Sequence, residues 1–222
     1  MEHLLKNAIA KKGYAAGTFL GTATPAIMEG ISYTGLDFVI IDTEHGPYDT
    51  MPMSDLIMTA VSHGVSPIVR VADVTHKEIQ RVVDNGAEGI IIPCLRELED
   101  FRKVVEFGKF PPLGKRGFMW GRGSGFGNEP WASQGIESYM QNSNDKVLLL
   151  PQCETVEALD QIEEIVQIDG IDGIFIGPYD LSVCMGIPGQ FDKTEFREAV
   201  QRILRACKDA GKLCVMFTMD PA

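Results

Sequence analysis

The sequence predicts an α/β fold, a (β/α)8 barrel in which the eighth strand–helix unit is missing from this chain. Seven short apolar runs recur along the chain, at 17–20, 38–41, 67–71, 89–92, 147–150, 174–176 and 213–217. Most are separated by stretches with helical spacing, among them 75–84, 97–107, 156–166 and 194–210. Strands that alternate with helices predict a parallel sheet joined by crossover helices. Strands that are apolar throughout are typical of a sheet buried on both faces.

The polar residues at the strand ends favour a closed barrel over an open, doubly wound sheet. Asp42, Arg70, Glu154 and Asp180 lie at or just beyond the ends of four different predicted strands. In a barrel, these ends share one face, where active sites are built from the loops that follow the strands. An open sheet usually carries a glycine-rich phosphate turn after its first strand. Here the first strand is followed by GTATP at 21–25, which lacks that pattern.

The chain is expected to form one domain, 1–222, that begins with a short amphipathic helix closed by Gly13. The few residues after the seventh run are too short for another unit, because an eighth strand and helix need about 25–35 residues in a ~250-residue barrel. Between the fourth and fifth runs, the segment around 110–127 predicts an irregular loop. Long loops of this kind often carry function.

Composition narrows the classes of partner. The chain is 45% apolar and has 20 basic against 31 acidic residues, a formal net charge of -11. This balance argues against nucleic acid and anionic membranes as partners. No apolar stretch approaches the ~20 residues of a membrane span. The five cysteines are scattered without a C-x-x-C pair, which predicts reduced thiols in a cytoplasmic protein.

Two carboxylates indicate a metal site. Glu154 follows the fifth predicted strand and Asp180 the sixth. If these strands are neighbours, both carboxylates reach over one barrel mouth, where they repel each other unless a cation lies between them. Oxygen ligands without a His or thiolate pattern predict a hard ion, Mg2+ or Mn2+. The alternative is that each residue caps a helix or occupies its first turn.

A histidine and an arginine also lie at strand ends. His45 falls in the loop after Asp42, and either Asp42 or Glu44 is a candidate to orient its ring for proton transfer. Arg70 ends an apolar strand, and its guanidinium matches a carboxylate or an enolate. The alternatives are a structural loop histidine and a structural ion pair.

Together these groups suit a 2-oxo acid, whose carboxylate and keto oxygen can chelate one metal ion. Covalent Schiff-base chemistry needs a buried lysine near the carboxyl end of a strand. Lys115 lies in the long loop and Lys212 precedes the seventh strand, so neither fits that role.

Six segments in order resemble the HpcH/HpaI aldolase family, the metal-dependent pyruvate aldolases of the phosphoenolpyruvate/pyruvate barrel superfamily. The resemblance runs from about 17 to 217. The segments are GLDFVIIDTEHGP (35–47), PIVRV (67–71), GIIIP (89–93), FPPLGKRG (110–117), QCE (152–154) and GIFIGPYDLS (173–182).

The resemblance implies a role for each matched residue. Glu154 and Asp180 correspond to the metal-binding carboxylates, with Mg2+, Mn2+ or Co2+ as the ion. Arg70 corresponds to the arginine that holds the keto oxygen of pyruvate and stabilises the enolate. His45 corresponds to the acid/base residue, with Asp42 as its partner.

Substrate contacts and assembly are also implied. Gln152 corresponds to a substrate-pocket glutamine, and the N–H groups of Tyr179 and Asp180 to the donors that bind the pyruvate carboxylate. Tyr179 is larger than the residue expected there. The implied reaction is reversible cleavage of a 4-hydroxy-2-oxo acid to pyruvate and an aldehyde, by a homo-oligomer built from dimers, up to a hexamer. The alternatives are a CoA-thioester lyase of the citrate lyase or malyl-CoA type and a non-catalytic 2-oxo-acid sensor.

Overall fold

The computed structural model describes residues 3–22, 24–47 and 49–219, so Ala23 of the GTATP segment lies outside the described residues. Seven strands form one sheet whose order follows the chain, and every neighbouring pair is parallel. The strands are β1 (Gly17–Leu20), β2 (Phe38–Asp42), β3 (Ser66–Arg70), β4 (Gly89–Ile92), β5 (Leu148–Cys153), β6 (Gly173–Ile176) and β7 (Leu213–Met216).

The sheet curls into an incomplete barrel, which confirms the predicted fold with seven of its units. Its first and last strands approach each other, because the rings of Phe19 in β1 and Phe217 after β7 meet edge to face at 5.5 Å. The helices are α1 (Leu4–Lys12), α2 (Pro25–Ser32), α3 (Thr50–Ser62), α4 (His76–Asp84), α5 (Leu98–Gly108), α6 (Ile136–Lys146), α7 (Val156–Asp160), α8 (Ile162–Ile165), α9 (Pro178–Cys184) and α10 (Thr194–Asp209). None of these helices is long and apolar enough to cross a bilayer.

Alternation along the strands divides the apolar side chains between two cores. One set points into the barrel and packs together: Phe38, Ile40, Ile68, Ile91, Leu148, Leu150 and Phe175. The intervening residues point outward and pack against the helices: Val39, Ile41, Val69, Ile90, Ile92, Leu149, Ile174 and Ile176. Successive strand residues face opposite sides, so runs that are apolar throughout serve both cores, as the sequence predicts.

Helix α1 closes the amino end of the barrel. Leu5 is buried within the inner core, and Ile9 packs against it. The buried carboxylate of Glu88 accepts hydrogen bonds from the N–H groups of Leu4 and Leu5, at 2.9 and 3.3 Å, and from the Ser66 hydroxyl at 2.7 Å. A carboxylate is favourable there because the first N–H groups of a helix have no partners within it.

Two segments differ from the sequence-based expectation. The stretch between β4 and β5 contains a 3-10 helix, Arg122–Gly127, and helix α6, which was not predicted. The helix expected over 156–166 is divided into α7 and α8 at Gln161. In α6, helix formation is supported by tertiary contacts: the Asn144 side chain bonds both the N–H and the C=O of Phe110.

Candidate active site

The inward-facing rows of the strands change from apolar to polar at their carboxyl ends. In β2, Asp42 continues the row of Phe38 and Ile40. Arg70 in β3 and Gln152 in β5 end the corresponding rows of their strands. Because alternate residues of a strand share a face, these side chains are carried over the same barrel mouth. The site is therefore built directly on the ends of rigid strands.

Arg70 is held by two carboxylates. It lies opposite Asp42 in the register of β2 and β3, and its Nε and Nη2 donate to Asp42 Oδ1 and Oδ2 at 2.9 and 2.6 Å. Its Nη1 lies 3.1 Å from Glu44 Oε2. Burial pushes the pKa of Asp42 up, but the hydrogen bonds and charge of Arg70 leave it below its ordinary value. The guanidinium is thus fixed in one orientation at the mouth.

The Asp42 carboxylate contacts Arg70 and the backbone of the following loop, and the ring of His45, its predicted partner, lies closer to Glu44. Asp42 Oδ1 accepts from the backbone N–H groups of Glu44 and His45, at 3.1 and 3.4 Å, while its carboxylate is bound to Arg70. The carboxylate nearest to the ring is that of Glu44, whose Oε2 lies 3.9 Å from His45 Nε2. The His45 side chain is 72% exposed. Asp42 therefore orients Arg70 and the loop backbone, and the ring faces solvent and the cavity.

Glu154 lies deeper, on the β5 side of the mouth, and only 4% of it is exposed. Its Oε1 accepts from the N–H of Cys94 at 2.6 Å, and its Oε2 accepts from the side-chain amide of Gln152. Burial raises the pKa of Glu154, and the charges of Asp180 and Glu44 add to that rise against the opposing Cys94 N–H and Arg70. The site therefore holds a carboxylate that favours a compensating positive charge.

Asp180 comes from the first turn of α9, which begins directly after β6. Strands β5 and β6 are neighbours, as the pairing of the two predicted carboxylates requires. The backbone between β6 and α9 passes close to the side chains of Glu154 and Gln152. Only a glycine fits at position 177, because a Cβ there would lie 2.7 Å from Glu154 Oε2 and 2.9 Å from Gln152 Nε2. The exposed Tyr179 ring contacts Phe191 and Phe217 at centroid distances of 5.1 and 6.1 Å. The N–H groups of Tyr179 and Asp180 have no acceptor within the helix, as in any first turn.

Five of the seven predicted site residues line one cavity of about 290 Å3, whereas Asp42 and Glu154 are not among the described residues that line it. Its wall contains most of the predicted site residues and an aromatic side: Phe19, His45, Arg70, Gln152, Phe175, Gly177, Pro178, Tyr179, Asp180 and Phe217. The Oε1 atom of Gln152 is buried and accepts no hydrogen bond from the described part of the chain. Gln152 lines the cavity, and a buried oxygen without a partner is a position that a bound ion or water commonly completes.

The donor set fits a hard divalent cation with few protein ligands. Within the described ranges, no cluster of three or more His, Cys, Asp or Glu side chains has the geometry to hold a metal. The available oxygens are the Glu154 and Asp180 carboxylates, with the unpaired Gln152 Oε1 beside them. Mg2+ is commonly bound by one or two carboxylates plus waters and substrate oxygens, and this set matches that pattern.

Some residues at the mouth were not identified from sequence. Cys94 follows β4 and touches Glu154 through its backbone, and no local pattern marks such a contact. The sequence predicts Phe19, Phe175 and Phe217 only as strand residues, although alternation along β1 and β6 is a usable signal for the inward face. The sequence offers Glu44 as a candidate partner of His45, and the structure also pairs it with Arg70.

The fold and the site define a barrel protein with an arginine–carboxylate centre at the carboxyl ends of its strands. The family model for HpcH/HpaI aldolase/citrate lyase matches residues 15–221, and the chain belongs to this family.

Named relatives agree with that membership. The chain is 34% identical to the hydroxypyruvate/pyruvate aldolase of Cupriavidus necator, over 98% of this chain and 79% of that protein. It is 30% identical to the 2-keto-3-deoxy-L-rhamnonate aldolase of Klebsiella pneumoniae subsp. pneumoniae, over 93% of this chain and 75% of that protein. The crystal structure of an HpcH/HpaI aldolase from Desulfitobacterium hafniense superposes with a TM-score of 0.88 at 32% identity, covering 100% of this chain and 84% of that one.

Proposed function

We propose that this protein is a metal-dependent pyruvate aldolase, a carbon–carbon lyase that reversibly cleaves a 4-hydroxy-2-oxo acid to pyruvate and an aldehyde. One observation carries the proposal beyond family membership. The Arg70 guanidinium, fixed by Asp42 and Glu44, lies on the wall of the same cavity as Gln152 and Asp180. A fixed guanidinium on the wall of a small cavity suits the carboxylate or keto oxygen of a 2-oxo acid.

In this proposal, Glu154 and Asp180 hold the divalent cation, with Mg2+ or Mn2+ preferred and Co2+ as a third candidate. When bound, the cation supplies Lewis-acid polarisation of the keto group. The pKa of Glu154 is raised, mainly by its burial, so a positive charge close to it favours the ionised form. Gln152 contributes to the wall of the substrate pocket, and the first-turn N–H groups of Tyr179 and Asp180 hold the carboxylate of pyruvate.

Arg70 and His45 then perform the proton and charge chemistry. In the cleavage direction, the 4-hydroxyl gives up its proton to a base, the C3–C4 bond breaks, and its electron pair forms the enolate of pyruvate. Arg70 donates hydrogen bonds to the enolate oxygen, where negative charge develops. His45, directly or through a water, takes the hydroxyl proton and returns a proton to C3. The aldehyde is released before or after that protonation. In the opposite direction, the same steps run in reverse and form the 4-hydroxy-2-oxo acid from pyruvate and the aldehyde.

Enolate formation can be tested before the aldehyde is known. Loss of deuterium from methyl-labelled pyruvate is followed by NMR with Mg2+, by mass spectrometry with Mn2+, and after addition of EDTA. We expect exchange that requires the cation and that falls strongly in Glu154→Gln and Arg70→Ala. Glu157→Gln and Arg202→Ala are matched controls, because both residues form ion pairs on the surface.

The alternatives give different results in the same assay. A protein loaded with cation that does not exchange the methyl protons of pyruvate is not a pyruvate aldolase. Cleavage of a 3-hydroxyacyl-CoA or citryl-CoA substrate by that protein would favour the CoA-thioester lyase. Tight pyruvate binding without exchange or cleavage would favour a 2-oxo-acid sensor.

We further propose that residues 1–222 form a single barrel domain and that the protein is a cytoplasmic homo-oligomer built from dimers, up to a hexamer. The family resemblance supports the assembly. The five cysteines, all free, support a reducing compartment. Light scattering coupled to size-exclusion chromatography gives the mass of the assembly in solution, and elution as a monomer at micromolar concentration would overturn this part of the proposal.

A further inference from the structure

Cys94 adopts a backbone conformation that most residues avoid. It follows β4 by two positions, and its φ is 60°. Among the described residues other than glycine, only Cys94 and Phe126 have a positive φ. The left-handed region is uncommon for a residue with a Cβ, and it is most costly for β-branched side chains. Such strain persists only where the surrounding structure holds it in place.

The left-handed turn directs the N–H of Cys94 at the buried carboxylate of Glu154. The donor–acceptor distance to Oε1 is 2.6 Å, short for an N–H···O bond and typical of a charged acceptor. The other oxygen of Glu154 accepts from the Gln152 amide. Each carboxylate oxygen therefore accepts a hydrogen bond from the described part of the chain, and the plane of the group is fixed by the segment after β4 on one side and by Gln152 of β5 on the other.

The thiol has a minor part in this arrangement. Cys94 is exposed, and its Sγ lies 3.9 Å from Glu44 Oε1, the long contact of a weak S–H donor. A glycine would adopt the same φ without strain and would provide the same N–H. The group that matters to Glu154 is therefore the backbone N–H, and the side chain matters through the φ values that it allows.

We propose that Cys94 is a positioning residue: its left-handed backbone fixes the Glu154 carboxylate and thereby sets the affinity of the site for a divalent cation. The inference rests on the proposed function to the extent that Glu154 is a ligand of that cation. Partners that orient a metal ligand from behind typically change metal affinity by ~10- to 100-fold when they are lost. The bond from Cys94 to Glu154 belongs to that class of contact.

The test measures Mn2+ binding to the full chain by electron paramagnetic resonance, in the absence of substrate. Cys94→Val and Cys94→Thr place β-branched residues at a positive φ, and we expect Kd for Mn2+ to rise ~10- to 100-fold. Cys94→Gly frees the backbone and Cys94→Ala removes only the thiol, so both should bind Mn2+ nearly as the parent does. Cys184→Val is the matched control, since Cys184 is an exposed cysteine within helix α9.

A double-mutant cycle separates positioning from general destabilisation. If Cys94 acts through Glu154, adding Cys94→Val to Glu154→Gln should change Kd for Mn2+ far less than Cys94→Val does alone. The inference is overturned if the parent binds Mn2+ and both β-branched variants bind it equally well. It is also overturned if Cys94→Ala loses as much affinity as Cys94→Val, because the thiol would then be responsible. A parent protein with no saturable Mn2+ binding contradicts the metal site of the proposed function itself.

Discussion

Arg70 and Asp42 face each other across two neighbouring strands and are joined by a pair of parallel hydrogen bonds, of 2.9 and 2.6 Å. Only 12% and 11% of their side chains are exposed. Two-point contact between a guanidinium and a carboxylate fixes the plane of both groups. The third guanidinium nitrogen, Nη1, lies 3.1 Å from Glu44. Arg70 is therefore oriented before any substrate arrives.

We expect Arg70→Lys to preserve the charge and lose the orientation. A lysine ammonium is a point charge without the planar fork that contacts both oxygens of Asp42. The rate of deuterium exchange from pyruvate should fall ~100-fold or more, the effect of losing one donor to a developing oxyanion. The affinity for Mn2+ should change little, because Arg70 is not one of the proposed metal ligands. An equal loss of Mn2+ affinity and exchange would instead show that Arg70 acts by shaping the metal site.

Asp42→Asn tests the same pair through stability and pH. The pKa of Asp42 is raised by burial but lowered further by Arg70, so its net position is below the ordinary value. A carboxyl group whose pKa is depressed on folding contributes stability that is fully present above its unfolded pKa, ~3.9, and is lost as the pH falls through the lower folded value.

Breaking a largely buried pair by removing one charge costs about 3 kcal/mol. The free energy of unfolding, measured with urea, should therefore be lower for Asp42→Asn by a constant amount between neutral pH and pH ~5, and the difference should shrink below pH ~4. A difference that grows on acidification would contradict the depressed pKa.

Glu154→Gln should have opposite effects on stability with and without the cation. Burial is the main cause of the raised pKa of Glu154. A carboxyl group with a raised folded pKa binds more protons in the native state, so its stability contribution falls as the pH rises through that window and stays low above it. At neutral pH and without metal, we expect the glutamine variant to be more stable than the parent.

Addition of Mn2+ should reverse the order. A ligand at 100 times its Kd stabilises the native state by about 2.7 kcal/mol, and the parent should gain this while Glu154→Gln gains little. The measurement is thermal unfolding of both proteins with EDTA and with Mn2+. Glu157→Gln, on the surface, should behave as the parent in both conditions.

The strand ends could be predicted from sequence because local alternation determines them. Phe38 and Ile40 point into the barrel, so Asp42 must also point inward if the strand continues, as it does. The same reasoning places Gln152 over the mouth once β5 is seen to extend through Cys153. The fold follows from the same runs, because each supplies both faces of a buried sheet.

Contacts between distant segments could not be predicted in this way. The hydrogen bond from Cys94 to Glu154 joins residues 60 positions apart. The N–H of Cys94 points at the carboxylate because the φ of Cys94 is positive, and a cysteine in the sequence does not predict a positive φ. Helix α6 contains Ser and Asn, which form helices poorly, and depends on contacts such as Ser143 with Arg116 and Asn144 with Phe110. Tertiary packing determines these features, so they cannot be predicted from a local sequence pattern.

His45→Asn should separate catalysis from stability. Its ring is largely exposed and lies 3.9 Å from the nearest carboxylate oxygen, so the free energy of unfolding should change by less than ~0.5 kcal/mol. Cleavage of a 4-hydroxy-2-oxo acid should slow by ~10²- to 10⁴-fold, the usual effect of losing a general acid or base. His63→Asn is the matched control, because its ring contacts Thr59 and Ser62 of helix α3 and lies 3.8 Å from Glu29, another surface pair between a histidine and a carboxylate. Unimpaired cleavage by His45→Asn would assign the proton transfer to a water or another group.

The cysteines should label in an order set by exposure and charge. Cys94 and Cys184 are exposed, whereas Cys153 and Cys207 are buried. Burial raises the pKa of Cys153 to about 12. Burial, Glu154, Glu44 and Asp180 also raise the pKa of Cys94. The thiolate is the reactive form, so iodoacetamide at neutral pH should modify Cys184 readily, Cys94 slowly and Cys153 only after unfolding.

Peptide mass spectrometry over a time course measures this order directly. Raising the pH from ~7 to ~9 should accelerate Cys94, because its raised pKa leaves more thiol to ionise in that range. In Glu154→Gln, one of the negative charges that suppress the Cys94 thiolate is absent, so labelling of Cys94 at neutral pH should become faster while Cys184 is unaffected. If Cys94 labels as fast as Cys184 in the parent and is insensitive to Glu154→Gln, the carboxylates are not close enough to act on the thiol. The contact between Cys94 and Glu154 that carries the Cys94 inference would then be wrong as well.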